Sequence, residues 1–420
     1  MIMPKPVIDT AAQKLLLRAI ELRRKGRFRK AREVALELAN ARPGSVSAWH
    51  TLGQIYTELG FFDLALSVNQ EATRLLKSRG SLEHHAHEFK TFQTVALGLA
   101  ISLMRFGRFS EAWPYWEAGR LEVSWSPWPG ARYFGAGHDA CGSPGSSLLV
   151  QSEGGYGDTF MFLRWLPFLK TRLGFSKVGL MIWKPLVDFC DWQALGVDEV
   201  YAIDRDNAPF DWRFATSIMS LPAVFGMTSW DDIPPVPEMR KQTVHDVRLD
   251  RGEEPFRIGF CWRAEENTSP VRTKSLPVEV AQAICERLLA KPSIPIEVLS
   301  LSPQKADLYN SGEFDAPVGL RVEPTRMTDW SATADYMAGM DFILTVDTAV
   351  AHLAGLLGIP ALVLLPVSSC WRWGRATQLP HPETSPWYGP QLQCYRQSEP
   401  LLWRAEDILA ALYERIGFGL

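Results

Sequence analysis

The spacing of apolar residues changes between residues 121 and 147. Before that stretch, apolar positions recur at intervals of three and four, the period of helices that bury one stripe. After it, short β-branched and aromatic runs alternate with helical spacing, the pattern of parallel sheets covered by helices. Strands are expected at Ser147 to Gln151, 177–183 (KVGLMIW), 199–203 (EVYAI), 258–262 (IGFCW) and 294–301 (IPIEVLSL). Helices are expected from Asp158 to about Leu169, around Leu186 to Ala194, over Val278 to Leu289 and over Ala405 to Ile416. The most complete unit runs from Asp341 to Pro366: a strand, the two-residue loop Asp347-Thr348, a helix from Ala349 to Gly358 and a second buried strand at Ala361 to Leu365.

The first third repeats itself. KGRFRKA at 25–31, LGFFDLA at 59–65 and FGRFSEA at 106–112 align, with Gly26 and Gly60 separated by 34 residues and Gly60 and Gly107 by that period plus 13. A period of 34 is the tetratricopeptide length, and Trp49, Leu52, Gly53, Tyr56, Ala65 and Ala72 fit its alternation of large and small residues on paired helices. Three helix pairs are expected within 1–120. His84, His85 and His87 in the insertion lack further ligands and read as a solvated linker or helix end. Residues 14–32 hold nine Lys or Arg against one Glu, usually a solvated face and alternatively a surface that steers an acidic partner.

Two loops carry candidate chemistry. After Ser147 to Gln151, the glycines Gly154, Gly155 and Gly157 let backbone approach a ligand, and Asp158 projects at the end of a strand, where open α/β sheets bind their ligands. This is neither the dinucleotide fingerprint nor a phosphate-binding P-loop. In the second loop, Asp347 and Thr348 precede a helix N-terminus, whose unpaired amides and partial positive charge suit an anion. The plain alternative is that Asp158, Asp347 and Thr348 are helix caps and that His352 is a satisfied half-buried residue. Asp204-Arg205-Asp206 follows a strand like a metal-holding D-x-D, and we read it as a decoy.

Composition sets the limits. The chain has 420 residues, a formal net charge of −3, 16 Trp and 6 Cys, the length of two or three domains with their own cores. The near balance of charge gives no reason to expect nucleic acid. The cysteines form no CxxC pair and read as buried reduced thiols. No apolar run reaches the roughly 20 residues of a membrane span, and no leader pattern opens the chain, so a cytoplasmic location is expected.

Taken together, SEGGYGDTFMFLRWLP, VDTAVAHLAGLLGIP and WRWGRATQLPHPETSPWYGPQLQCYRQ resemble the glycine loop, donor loop and tail of GT-B glycosyltransferases that follow tetratricopeptide repeats. These are related to the bacterial heptosyltransferases of glycosyltransferase family nine and, more remotely, to protein O-GlcNAc transferases. The likeness covers about 148–403. It departs at Arg263 to Asn267, where the family often has Gly-Asn, at Lys274-Ser275 in place of Arg-Ser, and at Tyr156 in place of Leu. The implied architecture is all-α repeats (1–120), a linker (121–147), an acceptor-side Rossmann-like domain (148–245), a donor-side one (250–400) facing it across a cleft, and a C-terminal helix (401–420) packing back on the first domain.

The resemblance implies an inverting, metal-independent transfer from a nucleotide-diphosphate sugar to a hydroxyl, with no cofactor. Asp158 matches the base, Lys274 a phosphate-contacting cation with Arg272 as its second, and His352 a group near the leaving phosphate. A carboxylate does not favour phosphate, so Asp347 is assigned to donor hydroxyls and the amides of Thr348 and Ala349 to the anion. Trp371, Trp373, Trp387 and Tyr388, clustered with Arg372 and Arg396 after a strand end, are candidates for base stacking or a lid; core and surface packing is the alternative for all six. The expected partner is a protein acceptor bound by the repeats. The competing readings are a non-catalytic repeat scaffold with a degenerate transferase domain, and a transferase for a glycolipid or saccharide.

Overall fold

The computed structural model describes residues 10–78, 86–121, 127–135, 146–203, 212–239, 254–264, 274–290, 296–301, 318–321, 323, 327–374 and 383–417. Arg272, Asp204, Asp206, His84, His85, Cys141 and the altered stretch 265–267 lie outside them, as does the side chain of His87.

Among the described residues the first third is six helices: α1 (Thr10–Arg24), α2 (Phe28–Ala41), α3 (Val46–Glu58), α4 (Phe62–Lys77), α5 (Ala86–Arg105) and α6 (Phe109–Arg120). The repeated glycine makes the same turn three times. Gly26, Gly60 and Gly107 have φ of +70°, +78° and +70°, where a side chain is strained. In each turn the next amide reaches back to close the preceding helix: Arg27 N to Leu22 O at 2.9 Å, Phe61 N to Tyr56 O at 2.8 Å and Arg108 N to Leu103 O at 3.0 Å.

Two parallel sheets follow. The first contains β1 (Arg132–Tyr133), β2 (Ser147–Gln151), β3 (Lys177–Ile182), β4 (Glu199–Ala202) and β5 (Phe214–Ser217) in the order β1-β5-β2-β3-β4. Its helices are α7 (Tyr156–Phe162), α8 (Phe168–Leu173) and the short α9 (Leu221–Val224). The second contains β6 (Phe256–Cys261), β7 (Ile296–Ser300), β8 (Phe342–Val346), β9 (Ala361–Leu365), β10 (Glu383–Ser385) and β11 (Gly389–Arg396) in the order β10-β11-β9-β8-β6-β7, with only β10 antiparallel to its neighbour. Its helices are α10 (Val278–Leu289), α11 (Trp330–Met337), α12 (Ala349–Leu357) and α13 (Ala405–Ile416).

Side chains alternate across the second sheet, which is why its strands read as continuous apolar runs. Ile343, Val363 and Leu365 join a core that extends through α12 and the first sheet's helices to α5 and α6. Phe342, Leu344, Val346, Leu362 and Leu364 face the opposite core, with α10 and α13.

Four expectations are corrected. The C-terminal helix does not pack back on the first domain: Ile408, Leu409, Leu412 and Ile416 of α13 join Ile284, Cys285 and Leu288 of α10, and Arg287 meets Glu406 at 2.6 Å. An amphipathic helix requires an apolar neighbour, and the nearest one is its own sheet. The helix expected around Leu186 to Ala194 is a 3-10 turn at Lys184–Leu186 followed by tight turns, where the Asp191 carboxylate accepts from the amides of Gln193 and Ala194 at 3.1 and 3.3 Å and competes with helix formation. The helix expected from Asp158 is divided at Pro167 into α7, a 3-10 turn and α8. The expected linker contributes β1, which pairs with β5.

Candidate functional site

In an open α/β sheet the loops at the carboxyl ends of strands diverge where the strand order reverses, and a ligand enters there. The first sheet reverses between β2 and β5, neighbours whose ends are level at Gln151 and Ser217. The second reverses between β6 and β8. The glycine loop follows β2, Lys274 lies beyond β6 and Asp347 follows β8, so the sequence candidates occupy both reversal points. The two sets meet directly.

The glycine loop is shaped around one carboxylate. Gly155 N donates to Asp158 Oδ2 at 2.9 Å, and Gly154, at φ +75°, lies so close that a Cβ there would stand 2.3 Å from the same oxygen. The other oxygen, Oδ1, is ion-paired at 2.7 Å with Arg372 Nη2, from the turn after β9 in the second sheet. Burial works against the Arg372 charge, and Asp158, Cys370 and Asp347 together outweigh it, raising the guanidinium above its usual range. Gly157 completes the meeting: a Cβ there would lie 2.8 Å from His352 Cδ2 and 3.3 Å from Ala349 Cα on α12.

The second loop is held differently. Asp347, 8% exposed, is ion-paired through Oδ2 with Lys274 Nζ at 2.9 Å, and its Oδ1 accepts from Trp373 Nε1 at 2.8 Å. Burial pushes the Asp347 carboxyl up, and the lysine and indole prevail, leaving it below the usual carboxylate range. The same attraction raises Lys274. The plain capping alternative fails for Thr348, which makes no side-chain cap bond to α12; its hydroxyl lies 3.3 Å from Thr345 Oγ1. As in any α-helix, the first amides of α12 have no partner within the helix.

His352 lies one turn into α12. Its ring stacks on Trp373 at 4.8 Å and 16°, and Nδ1 lies 3.2 Å from Tyr388 Oη. Burial pushes its pKa down to about 4, against the pull of Asp347 and Asp158, so the imidazole is neutral at pH 7.

The expectation of base stacking or a lid is corrected for the four aromatics. Trp371, Trp373, Trp387 and Tyr388 are buried. Trp371 packs among Phe109, Trp113, Trp116 and Trp230, and Trp387 meets Phe162 and Trp165. Trp371 and Trp387 thus join the helices and both sheets, while Trp373 stacks on His352 and the Tyr388 ring lies under Arg164.

Two site residues escaped sequence reasoning. Arg372 was read with the tail aromatics as packing or part of a lid and not as a partner of Asp158, although a lone cation between two tryptophans after a strand end is an uncommon thing to bury. Arg164, 1% exposed, crosses from the first sheet's helices to donate to the Trp387 carbonyl at 3.0 Å and the Pro234 carbonyl at 2.8 Å. Both side chains close the interface next to the loops. Cys190, Cys261, Cys285, Cys370 and Cys394 are free thiols among the described residues, and no described helix is long and apolar enough to cross a membrane.

No family model matches the chain. It is 22% identical over 429 residues to the protein FlbA of Caulobacter vibrioides, covering 92% of this chain and 70% of that protein. It is similar to the ADP-heptose LPS heptosyltransferase II of E. coli, with a TM-score of 0.43 and 14% identity over 64% of this chain and 98% of that one. It is also similar to a family 9 glycosyl transferase of Veillonella parvula, with a TM-score of 0.45 and 10% identity over 65% of this chain and 98% of that one.

Proposed function

We propose that this protein is a GT-B glycosyltransferase that moves a sugar from a nucleotide-diphosphate donor to a hydroxyl, with inversion and without a metal. The observation that carries the reading is the meeting of the two reversal points, one presenting a carboxylate and the other a lysine at a helix N-terminus. In this mechanism Asp158 takes the proton of the acceptor hydroxyl as its oxygen attacks the anomeric carbon from the face opposite the diphosphate. The bond to the diphosphate breaks, and its negative charge is received by Lys274 and the amides of Thr348 and Ala349. Asp347 orients Lys274 and offers its remaining lone pairs to donor hydroxyls. Neutral His352 stands one turn behind the anion site.

The helices α1–α6 are proposed to be tetratricopeptide repeats that present a protein acceptor. A second reading, a scaffold with a silent transferase domain, draws on one specific observation: Arg372 and Gly155 N already engage both Asp158 oxygens.

A screen of nucleotide sugars for binding by calorimetry, and for donor hydrolysis or transfer, separates the two. Turnover of any donor removes the scaffold; a donor that binds without turnover under every acceptor condition removes the enzyme. Full activity in excess chelator is expected, and strict manganese dependence would return attention to Asp204 and Asp206.

A further inference from the structure

The glycine loop and the turn that carries Arg372 are each also held by one arginine from the last helix pair. Arg120, the final residue of α6 and 4% exposed, is ion-paired through Nη1 with Glu153 Oε2 at 3.1 Å and through Nη2 with Glu117 at 3.7 Å, and it donates to Ser220 Oγ at 2.8 Å. Glu153 is the residue immediately before Gly154. Its Oε2 also accepts from Ser217 Oγ at 2.6 Å, at the end of β5, so this charge cluster ties together the two strand ends that flank the reversal point of the first sheet. Arg105, on α5 and likewise 4% exposed, donates to the Ser369 carbonyl at 2.5 Å, in the turn that leads to Arg372. Arg396 of β11 fixes the same turn from the other side through Ser369 Oγ at 2.5 Å.

Between the two arginines, the indoles of Trp113 and Trp116 donate to the carbonyls of Met227 and Met219 at 2.6 and 3.3 Å. Apolar packing alone would dock a helix pair. A buried guanidinium costs several kcal/mol unless it is paired, and its planar array of donors fixes direction as well as proximity. Here one such group is aimed at the glycine loop and one at the turn that carries Arg372.

Resting on the transferase reading, we propose that Arg105 and Arg120 are positioning residues, and that the α5–α6 pair is a brace that sets the apposition of Asp158 and the Arg372 turn. The last helix pair is then part of the catalytic unit rather than of a detachable adaptor.

The test uses the full chain, with Arg120→Gln and Arg105→Gln compared by hydrogen exchange and by kinetics. Arg120→Gln should speed exchange at amides 153–158 by about tenfold or more, and Arg105→Gln at 369–373, while α12 amides keep the wild-type rate. With a donor found by the screen, each variant should lose about 10- to 100-fold in kcat while the donor KM moves less than about threefold, and Arg120→Lys should recover part of the loss. Unchanged loop exchange overturns the brace. So does a rise shared by every element, which would report global loosening, and so does faster loop exchange at unchanged kcat. Should Arg120→Gln fail to fold, Glu153→Gln asks the same question, because it leaves Arg120 paired with Glu117. If the wild-type protein turns over no donor, the transferase reading falls and the exchange arm still decides whether the helices hold the loops.

Discussion

The two strand–loop–helix units of the site solve different problems. After β2, three glycines replace side-chain bulk with backbone, and the single carboxylate Asp158 is held by its own loop and by one cation from the other sheet. After β8, Asp347 is enclosed by Lys274 and Trp373, with His352 stacked behind. Asp158 keeps 21% of its side chain exposed against 8% for Asp347. A group that accepts a proton must be reached by substrate, whereas a group that orients a lysine works best when immobile. The first loop therefore fits reaction and the second fits binding.

The largest expected break in this comparison is Asp158→Asn. The amide keeps the size of the carboxylate and removes the base, so kcat should fall by about 10²- to 10⁴-fold while donor affinity by calorimetry stays within a few-fold of wild type. Retained turnover would transfer the base role elsewhere. Asp347→Asn should do the reverse, weakening donor affinity about 10-fold or more through a misoriented Lys274 and changing kcat less. Its effect on stability should be modest, about 1–2 kcal/mol, because Lys274 is 41% exposed and water screens the pair.

Acid should act through the second unit. The His352 pKa lies at about 4 against an ordinary 6.5, so the unfolded chain gains a proton as pH falls below 6.5 and the folded chain does not until about 4. Stability is therefore lost across that window and levels below it, by about 3 kcal/mol for this ring. His50, also pushed down to about 4 by burial, adds a similar share. In denaturant titrations at pH 7 and pH 4.5, His352→Gln should show a smaller acid loss than wild type; an equal loss would place the acid sensitivity elsewhere.

The most local effect is expected from glycine substitution. Gly154→Ala meets a strained φ and crowds only Asp158, whereas Gly157→Ala presses on both His352 and the α12 backbone. Each should cost about 1–3 kcal/mol. Gly157→Ala alone should also weaken donor binding, and equal donor affinities would show that the two loops yield independently.

Truncation requires the same care. Removing residues 1–120 looks like a clean way to ask whether the helices present the acceptor, yet it also removes Arg105, Arg120 and the indoles that hold Met219 and Met227. A cut before α5 leaves those contacts in place and is the better probe of acceptor use.

What the sequence determined by itself was local. The repeat around Gly26, Gly60 and Gly107 was legible because the same short motif recurs at each, and the structure gives each glycine the same left-handed turn. The buried strands and the helices Val278–Leu289 and Ala405–Ile416 were legible because apolar period is set by backbone geometry. Asp158 and Asp347 could be singled out because each follows a strand and opens a helix. Their partners could not. Arg372 reaches Asp158, Lys274 reaches Asp347 and Arg120 reaches Glu153 across separate elements, and no local spacing encodes which charge a folded chain brings to which. The same holds for the tail tryptophans and the last helix, where an apolar face announces that it will be buried and only the assembled neighbours decide against what.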